Sequence, residues 1–363
     1  MSILSLFKHS ALVILLLGLS ACHQDTAINQ EEQTSTTTFY TGADVSWLTE
    51  MESNGHQFYD NSGQLCDCMA LLKSYGLQAI RLRVWVNPSE HGNWCNSSDV
   101  LKKALRAKAQ HLDIMVDFHY SDWWADPSKQ HIPIAWKAHH YEQLKNDVAQ
   151  HTREVLQQLK DHGIVPRWVQ VGNETSNGFL WPVGQADIHP EQYAGLFKAG
   201  YEAAKSVFPQ TQVIVHLDNG PDENLYAWNL GLLHQAGAQW DLIGMSVYPY
   251  WSMQSGKFVS ADEVIEKSVA HIRKLYRQYG TEVIVVETGF ECADAQGHLG
   301  SLAQLKESKR QLTQLLQLCR NETEGHCRGV FYWEPQCTPS QYRLGAFTAN
   351  GQPTIIMDAF RTK

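Results

Sequence analysis

The stretch from Trp168 to Asn177 reads WVQVGNETSN. Four residues suited to a buried strand, Trp168 to Val171, run into Gly172 and then straight into the amide of Asn173 and the carboxylate of Glu174. An ionised carboxylate is costly to bury without partners. A Glu at the end of a core strand is therefore either hydrogen-bonded structure or a working group.

Outward from this stretch, short β-rich runs recur with helical spacing between them. The strand-like runs are Tyr40–Trp47, Ala79–Trp85, Asp113–His119, Trp168–Val171, Val213–Leu217, Leu242–Val247, Glu282–Val286 and Gly329–Trp333. Helical patterns include Ser98–Gln110, Tyr141–His162, Glu191–Phe208, Ala261–Tyr279 and Leu302–Cys319, with Gly163 and Gly280 placed as helix-ending glycines. Eight strand–helix alternations without a long linker predict an α/β protein built as a (β/α)8 TIM barrel, one catalytic domain over residues 39–363. A doubly wound sheet is the alternative. The length of 363 residues and the hydrophobic content of 43% are enough for a core of that size.

In such a barrel the chemistry gathers where strands end. The predicted ends carry Asp44 and Trp47; Arg81, Arg83 and Trp85; Asp117, His119 and Asp122; Asn173 and Glu174; His216 and Asp218; Tyr248 and Tyr250; Glu287; Trp333 and Glu334. Glu287 closes VIVVETG, an apolar run broken by one carboxylate. Two carboxylates at strand ends, with no metal-ligating cluster in the sequence, point first to glycoside hydrolysis. One carboxyl, kept protonated by burial, serves the leaving oxygen, and the other, ionised, attacks the anomeric carbon. Asn173 beside Glu174 is positioned to donate to a sugar 2-hydroxyl. Arg81 and Arg83 lie two apart on one strand face, so spacing alone does not choose which accompanies a carboxylate. His119, Asp122 and the tryptophans Trp85, Trp123, Trp124 and Trp333 are candidates to line the cleft. Trp333 is the best-placed sugar platform, and the adjacent Trp123 and Trp124 cannot both face it. Glu334 also ends a strand and Glu291 lies in a loop beside Cys292; both rank behind Glu287.

Composition narrows the ligand. The formal net charge is −9, and the 29 basic residues form no block, which argues against nucleic acid and against an anionic membrane surface as partners. A neutral ligand fits better, and 12 Trp with 14 Tyr can stack on sugar rings as well as pack a core.

Several longer stretches carry a family likeness. GADVSWLTEME, IRLRVWVNP, VDFHYSDWWADPSKQ, WVQVGNET, VIVHLD, GMSVYPYW and GVFYWEP, in this order, resemble glycoside hydrolase family 53, the arabinogalactan endo-β-1,4-galactanases of the retaining (β/α)8 glycosidase clan. The likeness covers about residues 40 to 360. It implies an endo-acting, retaining cleavage of β-1,4-galactosidic bonds in the galactan and arabinogalactan side chains of pectin. Glu174 would be the acid/base and Glu287 the nucleophile, with Arg81 holding the nucleophile ionised and Tyr248 hydrogen-bonding it. The sequence departs from many family members after the last strand, where WEPQCTPS lacks the expected aromatic. Some bacterial members bind calcium in the loop after the seventh strand, but CADAQGHLGS is short and poor in carboxylates, whereas a calcium cage needs about 6–8 oxygens. No metal and no cofactor are expected, and the chain is expected to act as a monomer. Rival readings are another endo-glycanase of the clan acting on mannan or glucan, and a glycan-binding protein on an inactivated barrel. A metal-dependent hydrolase is a weaker rival, because His119 and His216 form no metal-ligating pair.

The N-terminus, MSILSLFKHSALVILLLGLSAC, has a positive start at Lys8, an apolar stretch from Ala11 to Leu19 and small residues after it, the pattern of an export signal over residues 1–21. Leu19-Ser20-Ala21-Cys22 resembles a bacterial lipobox, so Cys22 is the expected lipidation site, followed by a polar tether over residues 22–38. These features predict a lipid-anchored protein of the cell envelope, in the outer membrane of a Gram-negative bacterium. Export implies an oxidising compartment, and the seven remaining cysteines become disulfide candidates, Cys68 with Cys95 first and Cys319 with Cys327 second. Asn96, Asn173 and Asn321 begin glycosylation sequons by pattern alone.

Overall fold

The computed structural model describes residues 38–361; the expected signal, Cys22 and nearly all of the tether lie outside the described residues. Eight parallel strands close into a barrel: β1 (Tyr40–Asp44), β4 (Ala79–Val84), β5 (Asp113–Phe118), β6 (Trp168–Val171), β7 (Gln212–Leu217), β8 (Leu242–Val247), β9 (Val283–Thr288) and β10 (Cys327–Trp333). Neighbours follow chain order, and β1 closes the ring between β10 and β4. The barrel expectation holds and the doubly wound alternative falls. Between β1 and β4 the chain adds a small hairpin, β2 (Phe58–Tyr59) with β3 (Leu65–Cys66), flanked by α1 (Leu48–Ser53) and α2 (Cys68–Ser74).

The outer layer consists of α3 (Ser97–Ala109), α4 (Tyr141–Asp161), α5 (Pro190–Val207), α6 (Glu223–Gln235), α7 (Pro249–Gln254), α8 (Ala261–Tyr279) and α9 (Leu302–Asn321). Their starts are set by side-chain caps that accept a backbone N–H: Asn96 for α3, Ser260 for α8 and Ser301 for α9. Asn96 thus has a structural task inside its sequon. Gly163, just past α4, and Gly280, capping α8, adopt the left-handed conformation expected of them.

Residues alternate along each barrel strand. Ile80, Leu82 and Val84 face the helices and join the large outer core, whereas Ala79, Met115, Trp168, Ile214, Leu242, Ile284, Val286 and Phe331 meet inside the barrel. Trp168 fills that interior, edge-on to Phe331 at 5.8 Å and to Tyr40 at 4.9 Å. Gly42 on β1 has to lack a side chain, because a Cβ there would lie 2.3 Å from the Phe331 ring. Two residues further along each strand the inward positions turn polar, with Arg81, Asp117, Gln170 and His216 above the apolar plug, all buried.

One irregularity places a functional group. Between β8 and β9 the register runs Met245 opposite Val285 and then Ser246 opposite Glu287, so Val286 is an extra residue on β9. Val283 and Val285 pack outward and Ile284 and Val286 inward, and strict alternation would send Glu287 outward. The bulge re-aims it into the barrel.

The two disulfide expectations are corrected. Cys66, Cys68, Cys95, Cys292, Cys319, Cys327 and Cys337 are all free thiols. Cys95 aims its sulfur at the Ser46 carbonyl, 3.5 Å away, and at Lys103 Nζ, 3.8 Å away, not at Cys68. Cys319 and Cys327 are neighbours whose thiols hydrogen-bond, which with burial pushes the Cys319 thiol well up. The barrel rests on its apolar core without covalent staples among the described residues. Trp168→Ala, which empties the centre of the inner plug, is expected to cost about 3–5 kcal/mol in denaturant unfolding; a loss below about 1 kcal/mol would show that the plug is dispensable.

Candidate active site

Arg81 stands at the centre of the polar layer, fully buried. Its Nη1 donates to Asp44 Oδ2 at 2.8 Å and its Nε to Gln170 Oε1 at 2.7 Å. Its Nη2 lies 2.8 Å from Glu287 Oε1, 2.9 Å from Asp117 Oδ2 and 2.8 Å from Asn173 Oδ1. Glu287 accepts a second hydrogen bond from Tyr248 Oη at 2.8 Å. Burial pushes the Glu287 carboxyl up to about 7; Arg81 and the Tyr248 hydroxyl hold it down, while the charge of Asp117 opposes them.

Glu174 reaches the cavity by a strained exit from β6. Gly172 has φ of 86° and Glu174 itself φ of 46°, so the chain turns sharply at the strand end. Burial raises the Glu174 carboxyl well above the usual carboxylate range, and the charges of Glu287 and Asp218 raise it further. Its hydrogen-bond partner is the hydroxyl of Ser246, which donates to Oε1 at 2.8 Å.

Behind Ser246 stands His216. Its Nδ1 accepts the Glu174 backbone N–H at 3.2 Å, so Nε2 carries the proton, directed at Ser246 Oγ 2.8 Å away. Burial, with Arg81 nearby, holds His216 well below its ordinary range and therefore neutral. A chain of donors from His216 through Ser246 to Glu174 fixes one carboxyl oxygen and leaves the other available for a proton.

The other candidates divide. Asn173 lines the cavity, its Nδ2 donating to Ala125 O at 2.8 Å while Oδ1 accepts from Arg81. His119 also lines it, with Nε2 3.0 Å from Asp117 Oδ2 and Nδ1 accepting from Ala125 N at 3.2 Å; burial lowers its pKa, so it is neutral. Trp333 and Tyr248 are cavity-lining. Of the tryptophan pair, Trp124 faces the cavity, while Trp123 stacks on His91 at 3.5 Å and lies tilted against Trp85 at 4.3 Å. Two expectations are corrected. Trp85 is only 1% exposed and packs behind the cavity wall, against Trp123 and Trp124. The Asp122 carboxylate is occupied by loop backbone, accepting from Asn87 N of the loop after β4 at 2.9 Å and from Ile134 N of the loop after β5 at 2.8 Å, which pairs both amides.

Glu334 is buried and outside the cavity lining, 2.8 Å from Arg83 Nη1, with the Trp47 backbone N–H donating to it. Burial pushes its carboxyl up to about 8 against the pull of Arg83. The Arg83 guanidinium is enclosed by rings, 4.2 Å from the centre of Trp124, 5.0 Å from Trp85 and 5.2 Å from Trp47. Glu291 is likewise structural, paired with Arg343 at 2.9 Å.

Four residues near the chemistry were missing from the sequence-based set. Ser246 was legible in principle, two residues before Tyr248 on the same strand face. Trp47 and Asp218 stood at strand ends without a role. Tyr342 comes from the loop after β10, where nothing in its surroundings marks it, yet it lines the cavity beside Trp333, ring centres 4.6 Å apart. Among the described residues no group of three or more His, Cys, Asp or Glu is arranged to hold a metal ion.

A buried carboxyl and a half-buried one thus face one cavity, the first held by a guanidinium and a phenol, the second by a hydroxyl and beside like charges. Such a pair can supply a proton donor and an ionised nucleophile. The family model for Glycosyl hydrolase family 53 matches residues 40–356. An arabinogalactan endo-beta-1,4-galactanase of Cellvibrio japonicus is 31% identical over 329 residues, covering 85% of this chain and 83% of the relative. The endo-beta-1,4-galactanase of Bacillus subtilis is 30% identical over 320 residues, covering 83% and 71%. Among solved structures, the Ignisphaera aggregans GH53 catalytic domain superimposes with a TM-score of 0.80 at 30% identity, covering 90% of this chain and 96% of that one. With the barrel, the carboxyl pair and a family match spanning nearly all of the described residues, the chain belongs to glycosyl hydrolase family 53.

Proposed function

We propose that this protein is a retaining endo-β-1,4-galactanase acting on galactan and arabinogalactan side chains, with Glu287 as nucleophile and Glu174 as acid/base. The observation that carries the assignment is the unequal setting of the two carboxyls. Glu287 receives hydrogen bonds from Arg81 and Tyr248, at 2.8 Å each, which favour its ionised form. Glu174 is raised further by burial and by the neighbouring charges, so it keeps its proton when Glu287 has lost its own.

In the first step Glu287 Oε attacks the anomeric carbon while the bond to the leaving oxygen breaks, and that oxygen takes the Glu174 proton. In the second, Glu174, now ionised, takes a proton from water as the water oxygen displaces Glu287. Charge developing on the sugar is met by the fixed dipoles of Asn173 and the Arg81 cluster, which need no reorganisation. The family and the named activity of its relatives supply the substrate. The lipobox-like Leu19–Cys22 supports an outer-membrane anchor through Cys22, which would keep the enzyme at the cell envelope where polysaccharide arrives.

Glu174→Ala is expected to lose galactan cleavage by more than about 100-fold, yet to turn over a substrate with an excellent leaving group, with azide restoring rate and giving a β-glycosyl azide. Loss on every substrate without rescue would remove Glu174 from the role. Tyr248→Phe removes a donor to the ionised Glu287, so its carboxyl rises above about 7 and the acidic limb of the kcat/KM profile moves to higher pH. An unmoved limb would show that this phenol does not tune the nucleophile. Cys22→Ser is expected to shift the protein from the membrane fraction to the soluble fraction of the envelope; unchanged fractionation would rule out the anchor.

A further inference from the structure

Asn173 and Glu174 ride on a stretch of backbone that is leaving the sheet. The ladder between β6 and β7 ends with Gln170 opposite Ile214, and Gly172 and Glu174 then turn with positive φ. The main-chain oxygens of Asn173 and Glu174 are thereby carried away from the neighbouring strand. Carbonyls withdrawn from water still need donors.

The donor comes from the loop after β5. Gln130 directs its Nε2 at three main-chain oxygens, Asn173 O at 2.8 Å, Asp126 O at 3.2 Å and Glu174 O at 3.4 Å. Only an N–H group can face three carbonyls, so the amide has one orientation. Gln130 is 1% exposed and stands outside the cavity lining, whereas Asp126, Pro127 and Lys129, just before it, line the cavity. Among the described residues its Oε1 meets no donor, a cost that an apolar side chain of the same length would not carry. The use of the residue therefore lies in its N–H groups.

This support is itself rigid. Asp126 and Lys129 exchange backbone hydrogen bonds at 2.9 and 3.0 Å, and the Ser128 N–H and hydroxyl both donate to Asp126 Oδ1, at 2.9 and 2.6 Å. The Gln130 carbonyl accepts from Trp181 N, in the loop after β6, at 2.7 Å. Asn173 is also held by its side chain, Nδ2 donating to Ala125 O of the same β5 loop at 2.8 Å. With main chain and side chain both gripped, the second Nδ2 hydrogen is left to serve the cavity that Asn173 lines.

We infer that Gln130 is a positioning residue for the proposed reaction: its buried amide fixes the β6 exit so that the Asn173 amide meets the sugar 2-hydroxyl, an assignment that rests on the roles proposed above for Asn173 and Glu174. A hydrogen bond to that hydroxyl strengthens as charge develops at the anomeric carbon, so a displaced Asn173 lowers kcat more than it raises KM. The longer contact to Glu174 O puts the acid/base in the same grip.

Three variants of the full chain test this: Gln130→Met, which keeps the length and removes the donors, Asn173→Ala, and the two combined. Each is measured on debranched β-1,4-galactan and on an aryl β-galactobioside with and without the 2-hydroxyl of the reacting sugar. Gln130→Met is expected to lower kcat on galactan by about 10- to 100-fold while KM stays within about 3-fold, the scale of a misplacement of about 1 Å. On the glycoside lacking the 2-hydroxyl the loss should shrink to less than about 3-fold, and it should shrink equally in the Asn173→Ala background. Lowered stability alone would produce neither dependence. Should Gln130→Met not fold, Gln130→Glu, also without N–H donors, is expected to give the same pattern. Equal losses on both glycosides, losses that multiply in the combined variant, or an unchanged kcat would each overturn the role of Gln130. If the unmodified protein leaves galactan intact but cleaves another β-glycan, the proposed substrate fails, and the combined-variant comparison on that glycan still tests Gln130.

Discussion

One guanidinium organises this barrel. Arg81 touches groups from four strand ends, Asp44 of β1, Asp117 of β5, Gln170 and Asn173 of β6 and beyond, and Glu287 of β9, while its own Cα sits on β4. A buried charge of this kind is costly alone, and removing one partner of such a network leaves another uncompensated. Three carboxylates share a single cation here. Asp44 is kept low, because Arg81, Arg83 and Ser46 outweigh its burial, whereas Glu287 remains near 7. The same cluster that locks the strand ends together therefore leaves Glu287, which faces the cavity, more easily protonated than Asp44.

Glu174 is tuned by exclusion from that cluster. It has no cation, one neutral hydroxyl and three acidic neighbours, and the hydroxyl is oriented by a histidine that burial keeps uncharged. Two chemically identical side chains acquire different proton affinities from their distance to Arg81 and their neighbours. His216 does this without contributing charge of its own. A protonated imidazole there would stabilise the ionised form of Glu174 and work against a proton donor.

Much of this was legible because barrels place chemistry at strand ends and strands have a period of two. Arg81 and Arg83 could be assigned to one face, and Trp168 to Glu174 to a strand and its exit, from spacing alone. Glu287 was found for a reason that does not hold in detail. Its position at the end of an apolar run was correct, but its inward direction depends on the extra residue Val286, which no periodicity reports. Asp122 and Trp85 were misassigned because a carboxylate satisfying loop amides and an indole packed behind a wall look in sequence like cleft residues. The cysteines misled in the same way, since compartment suggests bonding whereas only the folded backbone decides which sulfurs meet. Tyr342 had no local signal, because its place depends on how the last loop folds back over β10.

The ring-enclosed Arg83 bears on affinity. Its Nε and Nη2 find no hydrogen-bond acceptor, while Nη1 is fixed by Glu334, which also receives the Trp47 amide. Trp47 is thereby wedged edge-to-face against Trp124 and Trp333, themselves tilted to each other, around a cation, with ring centres 5.2 to 5.9 Å apart. Side chains that are already immobile lose little rotational freedom when a ligand arrives. A neutral, flexible polysaccharide brings no charge to offset the entropy of its own ordering. At this end of the cavity the protein has spent its share of that entropy in folding, so the sugar alone has to become ordered.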